Sequence, residues 1–434
     1  MNRIFKIRFR KKTCSSRRYF RGIFVCLVVA SSILILIFLF ALHIRKPAVF
    51  TLYTCLGSEN PAAGLSVSNY EAFLQGHLCK HNFNDSVLNK HRLLDLEGDD
   101  VLIYLHIQKT GGGSFGRHLV HNLDVKFPCK CLPGIKKCDC LTKARRHWLF
   151  SRHATGWMCG LHADWTELAD CIDVWFQHND AKSRKHRIYH YLTFLRNPVH
   201  RFLSEWQHVH RGATWKAARL HCNGKGASLD EVPFCFSGVN WSGVSLDEFL
   251  SCKHNLAFNR MTRMLANLSK VNCYNHTGLS QEQVDQILLQ SAKENLLDFA
   301  FFGILEEQRK TQFLFENNLG IKFITDFQQK DETHASHVEI SDEMMQRVLE
   351  KNRVDIELYQ YAKDLFLQRV VYTEKRLGQT VQEYFNHAQD ALENSGADNK
   401  NVRKIQHEDE YDNEEEYVEE VNVYPGKGNI QAIR

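Results

Sequence analysis

Acidic side chains are missing from the first 46 residues of this 434-residue chain, although eleven Lys and Arg residues stand there. Over the whole chain the formal net charge is only +5, so the remainder is not basic. Residues 47–407 contain 42 basic and 41 acidic side chains, and residues 408–420 contain nine acids and no basic residue. A nucleic-acid-binding protein carries its positive charge on the folded body, so the composition argues against that class.

Low-complexity composition and internal repeats are missing as well. With 44% hydrophobic and 24% charged residues, the body of the chain differs from disordered and collagen-like proteins. The length leaves room for one large domain or two smaller ones once the two ends are set aside. We therefore expect a globular body with a sizeable core.

One long apolar segment interrupts the basic N-terminus. Residues 22–44 contain no Asp, Glu, Lys or Arg and are rich in Ile, Leu, Val and Phe. A helix of this length spans a bilayer core of about 30 Å. A cleaved signal peptide is the alternative, but its apolar region is normally about 7–15 residues long. Nine basic residues precede the segment and two follow it directly, so the positive-inside rule predicts a single-pass type II membrane protein.

This topology divides the chain into five parts. We expect residues 1–21 to form a cytosolic basic tail and residues 22–44 a signal-anchor helix. In the lumen, residues 45–95 are expected to form a stem and residues 96–395 the globular domain. The acidic tail, residues 396–434, is expected to be disordered.

Cysteines and glycosylation sequons agree with a lumenal body. Twelve of the fourteen cysteines follow the apolar segment, and disulfides persist in that compartment. Sequons of the type Asn-x-Ser/Thr lie on the same side, at Asn84, Asn240, Asn267 and Asn275. A cluster of cysteines could alternatively hold zinc, at Cys129, Cys131, Cys138 and Cys140. Its C-x-C spacing is unusual for a zinc site, so we expect disulfides, with a pairing that the sequence leaves open.

The body alternates apolar strands with amphipathic helices. Three such pairs are predicted, with strands at 101–106, 188–195 and 299–304 and helices at 114–121, 199–210 and 305–318. Ser114 is expected near the N-cap of the first helix, and Pro198 suits the first turn of the second. Residues 341–394 have helical spacing. The pattern predicts an α/β fold, a central parallel sheet flanked by helices, with ligands at the carboxyl ends of its strands.

The first strand–helix connection is rich in glycine. It reads His106-Ile-Gln-Lys-Thr-Gly-Gly-Gly-Ser114, and consecutive glycines let backbone N–H groups approach an anion at a helix N-terminus. Lys109 adds a point charge for a phosphate or sulfate. The Walker A order is absent because the lysine precedes the glycines, which disfavours a nucleoside-triphosphate kinase. A tight turn that needs only glycine flexibility is the alternative interpretation.

Three further motifs accompany this loop. Gln108-Lys-Thr-Gly-Gly112 is followed by Gly160-Leu-His-Ala-Asp-Trp-Thr-Glu-Leu168, by Arg196 with Ser204 eight residues later, and by Arg211-Gly-Ala-Thr-Trp215. Together they resemble the Golgi carbohydrate sulfotransferases, and specifically the heparan sulfate 6-O-sulfotransferases. The resemblance runs from about Asp99 through Arg369. It implies a P-loop-like sulfotransferase fold, 3′-phosphoadenosine 5′-phosphosulfate as sulfuryl donor, no metal, and the 6-hydroxyl of glucosamine in heparan sulfate chains as acceptor.

The resemblance also implies roles for individual residues. Lys109 would stabilise the leaving oxygen and His162 would act as the base, with His106 as its rival. The donor would be held by His106, Ile107, Gln108, Lys109, Thr110, Gly111, Gly112, Gly113, Ser114, Arg196, Ser204, Gln328, Gln329, Lys330, Thr333, His334 and Ala335. The sugar chain would contact Lys136, Lys137, Arg152, Trp157, His162, His208 and Trp215.

Two stretches depart from the family pattern. Gly113-Ser114 stands where the family usually has Thr-Thr, so one hydroxyl is retained. Near the C-terminal end of the pocket the family's Gln-Tyr-Asn-Ser-Thr-Arg-Ala is replaced by Gln329-Lys-Asp-Glu-Thr-His-Ala335. Lys330 and His334 therefore stand in place of a Tyr and an Arg, and a neutral His lacks the fixed fork of an Arg.

Local charge favours a polyanionic acceptor. Residues 126–163 contain eight Lys or Arg and one acid, and residues 181–229 contain ten and one acid. Solvated basic faces are the alternative interpretation.

A Golgi glycosyltransferase would share the type II topology, but many of those need an Asp-x-Asp, which the lumenal body lacks. A glycan-binding module without catalysis would leave Lys109, His162, Arg196 and Ser204 unexplained. We therefore expect a Golgi membrane enzyme with a lumenal catalytic domain.

Overall fold

The computed structural model of the chain describes residues 81–179, 187–327 and 340–394. The predicted basic tail, signal-anchor helix and acidic tail lie outside these residues, as does most of the predicted stem. Within the described part of the chain, no helix is both long enough and apolar enough to cross a membrane.

The central sheet consists of four parallel strands, β1 (Asp100–Leu105), β3 (Leu149–Phe150), β4 (Ile188–Leu195) and β7 (Phe301–Ile304), in the order β3-β1-β4-β7. All six residues of β1 are buried. Its continuous apolar run is explained by this position, because a central parallel strand is covered on both faces. The predicted α/β fold with a central parallel sheet is confirmed.

Helices surround this sheet. In chain order they are α1 (Asp85–Leu88), α2 (Gly112–Asn122), α3 (Trp165–Asn179), α4 (Pro198–His210), α5 (Leu246–Ser251), α6 (Arg260–Leu265), α7 (Gln281–Asp298), α8 (Gln308–Leu319), α9 (Asp342–Lys351), α10 (Arg353–Leu377) and α11 (Val381–Asn394). Two short 3₁₀ helices cover Leu268–Val271 and Leu305–Glu307. Antiparallel pairs join β2 (Leu123–Asp124) to β8 (Lys322–Phe323) and β5 (His221–Cys222) to β6 (Lys225–Gly226).

Capping residues mark most predicted helix boundaries. Asn197 caps α4 by accepting from the amides of Val199 and His200, and Pro198 occupies the first helical position as predicted. Gly320 closes α8 in a left-handed conformation, also as predicted. The first helix begins two residues earlier than predicted: α2 starts at Gly112 with Gly111 as its N-cap, and Ser114 lies within its first turn.

The predicted helical stretch 341–394 is three helices. Asn352 ends α9, and Gly378 ends α10 with a φ of 66°. Helix α10 packs on α7, α8 and β7, and so covers part of the sheet. Helices α4, α5 and α9 enclose a second group of buried residues that includes Phe202, Phe249 and Val348.

Five disulfides connect the described residues. They join Cys129 to Cys140, Cys131 to Cys138, Cys159 to Cys171, Cys222 to Cys273 and Cys235 to Cys252. The expectation of disulfides at the C-x-C cluster is thus confirmed. The nested pairing within that cluster could not be predicted from spacing alone.

Candidate active site

The glycine-rich loop lies between β1 and α2, at the carboxyl end of the sheet. Lys109 has a φ of 62° and Gly111 a φ of 80°, so both adopt the left-handed conformation. A lysine pays a steric cost there that its surroundings must offset, and such residues cluster at functional sites. No side chain caps the first turn of α2 among the described residues. Its amides and helix dipole therefore suit an anion.

Gly112 allows the backbone to approach the ring of His106. A Cβ added at Gly112 would lie 2.3 Å from Cδ2 of His106 and 2.6 Å from the Tyr104 hydroxyl oxygen. The Tyr104 hydroxyl donates a hydrogen bond of 3.1 Å to the carbonyl oxygen of Gly112. The Tyr104 and His106 rings stack with centroids 5.8 Å apart. The second glycine is thus required by close packing and not only by flexibility.

Three other loop residues have contacts that define how each could face a ligand. The Ile107 side chain is completely buried, so only its backbone can face a ligand. The Thr110 hydroxyl donates its single hydrogen to the Ile107 carbonyl oxygen, 3.0 Å away. The Oε1 atom of buried Gln108 has no hydrogen-bond partner among the described residues. A buried acceptor without a partner beside an anion loop fits a site that receives a ligand.

A second strand–helix unit contacts the loop. Arg196 follows β4, and its Nη1 donates to the carbonyl oxygen of Lys109 at 3.2 Å. Burial lowers the pKa of Arg196, and Glu306 partly offsets that effect. Ser204 is buried in α4, two turns into the helix. The two motifs that are far apart in sequence are therefore connected, because β4 pairs with β1 in register.

The predicted base, His162, lies on the loop before α3 and reaches the same region. Its Nδ1 atom lies 3.2 Å from the carbonyl oxygen of His106. A carbonyl oxygen can only accept, so Nδ1 carries the hydrogen, and the lone pair of the neutral ring is on Nε2. The φ of His162 is 50°, another left-handed residue at this site.

Aromatic side chains pack around His162. Its ring centroid is 4.5 Å from that of Trp157 and 5.2 Å from that of Trp215, the latter at an interplanar angle of 83°. The His208 ring lies 5.5 Å from Trp215, and the Arg152 guanidinium lies 5.4 Å from the Trp157 ring. Four of the predicted sugar-contacting residues are thereby brought together around the predicted base.

A small open cleft adjoins these rings, lined among others by His106, Arg152, Trp157, Gly160 and His162. Lys137 reaches its rim, since its Cδ lies 3.2 Å from a Cβ added at the cleft residue Gly156. Lys136 is exposed on the neighbouring disulfide-linked loop.

The predicted C-terminal part of the donor pocket falls outside the described residues. This applies to Gln328, Gln329, Lys330, Thr333, His334 and Ala335. The effect of Lys330 and His334 on the donor pocket therefore remains a prediction from the sequence.

Sequence reasoning missed a buried acid next to the site. Glu205 in α4 accepts hydrogen bonds from Arg201, Arg260 and the indole of Trp215. Burial alone would raise its pKa, but the charges of Arg260 and Arg201 outweigh that effect and lower the pKa to about 2. One feature of the sequence could have identified Glu205: it is the single acid in segment 181–229, which contains ten basic residues.

A carboxyl pair directly after His162 was also missed. Asp164 and Glu167 form a reciprocal cap at the start of α3, with hydrogen bonds of 2.9 and 3.1 Å to each other's amides. Burial raises the pKa of both groups, and the charge of Asp164 adds to the effect on Glu167. Glu167 also accepts from the His221 amide at 2.9 Å. The pair connects the His162 loop to β5.

Within the described residues, one group of side chains has the spacing of a metal site, namely His121, Cys131 and Cys138. Cys131 and Cys138 are joined in a disulfide, so neither offers a thiolate.

Comparison with known proteins agrees with this geometry. Residues 92–362 match the model of the sulfotransferase family. The chain belongs to this family. The matched segment contains the whole parallel sheet, the glycine-rich loop, Arg196 and His162.

Relatives within the family are similar over most of the chain. Heparan-sulfate 6-O-sulfotransferase 2 of Danio rerio is 48% identical over 332 residues, which cover 74% of this chain and 71% of that protein. Heparan-sulfate 6-O-sulfotransferase 2 of Gallus gallus is 46% identical over 79% of this chain and 87% of its own length. Heparan-sulfate 6-O-sulfotransferase 1 of Homo sapiens is 48% identical over 74% of this chain and 80% of its own length.

Proposed function

We propose that the chain transfers a sulfuryl group from 3′-phosphoadenosine 5′-phosphosulfate to the 6-hydroxyl of glucosamine residues in heparan sulfate. Membership of the sulfotransferase family supports the donor, and the names of relatives at 46–48% identity support the acceptor and the position. The observation that carries the proposal is the hydrogen bond between His162 Nδ1 and the His106 carbonyl oxygen. It joins the proposed base to the start of the anion-binding loop.

Binding of the donor is assigned to the two strand–helix units. The first-turn amides of α2, with the backbone at Gly111, Gly112 and Gly113 and the hydroxyl of Ser114, would hold the 5′-phosphate. Arg196 and Ser204 would hold the 3′-phosphate, where a guanidinium fork fits a dianion. The donor supplies an activated sulfuryl group. The ammonium of Lys109 would stabilise the oxygen that leaves.

His162 is assigned the proton transfer. Its Nε2 would accept the proton of the acceptor hydroxyl as that oxygen bonds to sulfur and the phosphate oxygen departs in line. Trp157 and Trp215 pack against the imidazole, with ring centroids 4.5 and 5.2 Å away, and would limit its movement during the transfer. His106 would position the donor loop.

The acceptor would bind along the cleft beside His162. Arg152, Lys136 and Lys137 supply positive charge for a sulfated chain. Trp157 and Trp215 offer ring faces for sugars, and His208 packs against Trp215.

The cellular setting is part of the same proposal. A type II anchor at residues 22–44 would hold the domain in the Golgi lumen, where heparan sulfate would meet it. Asn84, Asn240 and Asn275 are exposed and suit glycosylation, whereas Asn267 is partly buried. Glycosidase treatment of the cell-expressed protein, followed by mass spectrometry, tests each sequon.

The deciding experiment uses the full chain with sulfur-labelled donor and heparan sulfate, followed by disaccharide analysis of the product. We expect label on the glucosamine 6-position. Label on a uronic 2-position or a glucosamine 3-position would correct the regiochemistry. Binding of heparan sulfate without any transfer would instead support a glycan-binding module and overturn the proposed activity.

A further inference from the structure

Glu205 is the most heavily hydrogen-bonded buried acid near the site, although the proposed mechanism gives it no role. Its side chain is 1% exposed. Its Oε2 accepts from Arg260 Nε at 2.8 Å and from Arg201 Nη1, and its Oε1 accepts from Arg260 Nη2 and from the indole N–H of Trp215 at 3.1 Å. We call Arg201, Glu205, Trp215 and Arg260 the Glu205 cluster.

The cluster is anchored to the rest of the domain. Arg201 also donates to the carbonyl oxygen of Ala257 at 2.6 Å. Arg260 begins α6, and the next two amides of α6, those of Met261 and Thr262, donate to Asp355 in α10 at 3.0 and 2.7 Å. Because Arg201 is also bonded to Ala257 and Arg260 stands on an anchored helix, the carboxylate between the two guanidinium groups has little freedom. Arg201 Nε has no hydrogen-bond partner among the described residues, so the arrangement is defined by the four hydrogen bonds to Glu205 and the one to Ala257.

Trp215 is the member of the cluster that reaches the reaction site. Its indole nitrogen is bound to Glu205, while its ring contacts His162 nearly edge to face, 5.2 Å between centroids. The Arg260 guanidinium lies 6.0 Å from the same ring. Trp215 itself stands on a segment without regular secondary structure after α4. Its indole hydrogen bond therefore fixes a ring that the local backbone alone would not.

We propose that Glu205 is a positioning residue: it fixes the indole of Trp215 and thereby holds the His162 ring in the orientation that proton transfer requires. The inference rests on the proposed function for the role of His162. If Trp215 served only as a stacking platform for a sugar, its ring would matter and its indole N–H would not. The two roles therefore differ in what a phenylalanine at this position can do.

The variant Trp215→Phe keeps an aromatic ring and removes the donor to Glu205. We expect kcat to fall about 10- to 100-fold, since small misplacements at a reacting centre have effects of this size, while KM for heparan sulfate changes much less. Trp206→Phe is the matched control. Trp206 neighbours Glu205 in sequence, and its indole donates to the Val244 carbonyl oxygen at 3.0 Å, away from the site. We expect its kcat and KM to match those of the wild type.

A double-mutant cycle connects the effect to Glu205. Glu205→Asp retains the charge between the two buried arginines but withdraws the carboxylate from the indole, whereas a neutral replacement would destabilise the fold. If both substitutions break the same hydrogen bond, the double variant Glu205→Asp with Trp215→Phe loses no more kcat than the more damaging single variant. Additive losses would contradict the proposal.

The rate of chemical modification of His162 tests this inference without a measurement of transferase activity. Carbethoxylation of His162 by diethyl pyrocarbonate, measured by mass spectrometry with exposed His178 as internal reference, reports how well the ring is held. We expect a several-fold faster reaction in Trp215→Phe and in Glu205→Asp, and no change in Trp206→Phe. Unchanged reactivity in both site variants would overturn the inference, even in a preparation without transferase activity.

Discussion

The Nδ1 atom of His162 lies 3.2 Å from the carbonyl oxygen of His106, a residue 56 positions earlier in the chain. This contact fixes the tautomer of the neutral ring, because the carbonyl can only accept. It also ties the His162 loop to the point where β1 passes into the glycine-rich loop. The proposed base is thereby connected directly to the loop that is proposed to hold the donor.

Replacing His162 should separate catalysis from donor binding. We expect His162→Ala to lower kcat by about 10²–10⁴-fold, the usual contribution of a general base. Affinity for adenosine 3′,5′-bisphosphate, measured by calorimetry, should be retained. His178→Ala is the control, since His178 Nδ1 also contacts a carbonyl oxygen, that of Val174 at 2.7 Å, but on the exposed end of α3. Near-normal turnover in His162→Ala would refute the assignment of the base.

Replacing the guanidinium group of Arg196 with an ammonium group should weaken donor binding. Arg196→Lys keeps the charge but loses the geometry that contacts the Lys109 carbonyl oxygen. Loss of a charged hydrogen bond of about 1.5–3 kcal/mol corresponds to roughly a 10- to 100-fold higher Kd for the bisphosphate. Arg187→Lys serves as control, because Arg187 is also buried and donates to a backbone carbonyl, that of His147 at 2.9 Å. Equal Kd values for both variants would argue against a role of Arg196 in binding.

Adding a methyl group at Gly112 should displace His106. The added Cβ would lie 2.3 Å from Cδ2 of that ring, whereas at Gly116 it would lie 2.9 Å from Cδ2 of His153. We expect Gly112→Ala to reduce both the free energy of unfolding, by about 1–3 kcal/mol, and the transfer rate. Gly116→Ala should reduce the free energy of unfolding and the transfer rate by smaller amounts. Thermal unfolding and initial rates of the two variants measure the difference, and a more active Gly112→Ala would contradict the close-packing argument.

The Asp164–Glu167 pair should make stability fall as pH rises. Burial and then the charge of Asp164 raise the pKa of Glu167 to about 8, whereas an unfolded Glu titrates near ~4.3. Between these values the folded state binds more protons than the unfolded state, so the free energy of unfolding declines with increasing pH. Each kcal/mol lost in this window lowers Tm by roughly 2–4 °C.

Glu167→Gln should flatten this slope of Tm against pH. The matched control is Glu231→Gln. Glu231 also accepts from the amide three residues earlier, that of Ser228 at 2.8 Å, but it is exposed, and that hydrogen bond lowers its pKa. The control should leave the slope unchanged between pH ~5 and ~8. An equally steep slope in Glu167→Gln would mean that another group governs the pH dependence.

The strands and helix boundaries that depend on residues close together in the sequence could be predicted. The strands at β1 and β4, the Pro198 helix start and the Gly320 helix end follow from apolar runs and capping chemistry. The error at α2 has the same local origin: a serine is usually the better N-cap, but left-handed Gly111 lets the helix begin earlier, which leaves Ser114 within the first turn.

Residues with no distinctive neighbours could not be predicted. Glu205 resembles any helical acid until Arg260 and Trp215, 55 and 10 positions away, are brought to it. In the sequence, Asp164 and Glu167 look like the residues of an ordinary helix start. Their raised pKa values result chiefly from burial, which the sequence does not show.

By itself the sequence determined the parallel α/β sheet, the glycine-rich loop with Lys109 and the resemblance to the sulfotransferases, because each depends on residue types at short, fixed spacings. Only the tertiary structure decided which His162 nitrogen carries the hydrogen, how Arg196 meets the Lys109 loop, and which side chains hold Trp215 in place. The first two contacts join residues 56 and 87 positions apart, and they exist because the order β3-β1-β4-β7 brings the ends of separate strands to one edge of the sheet.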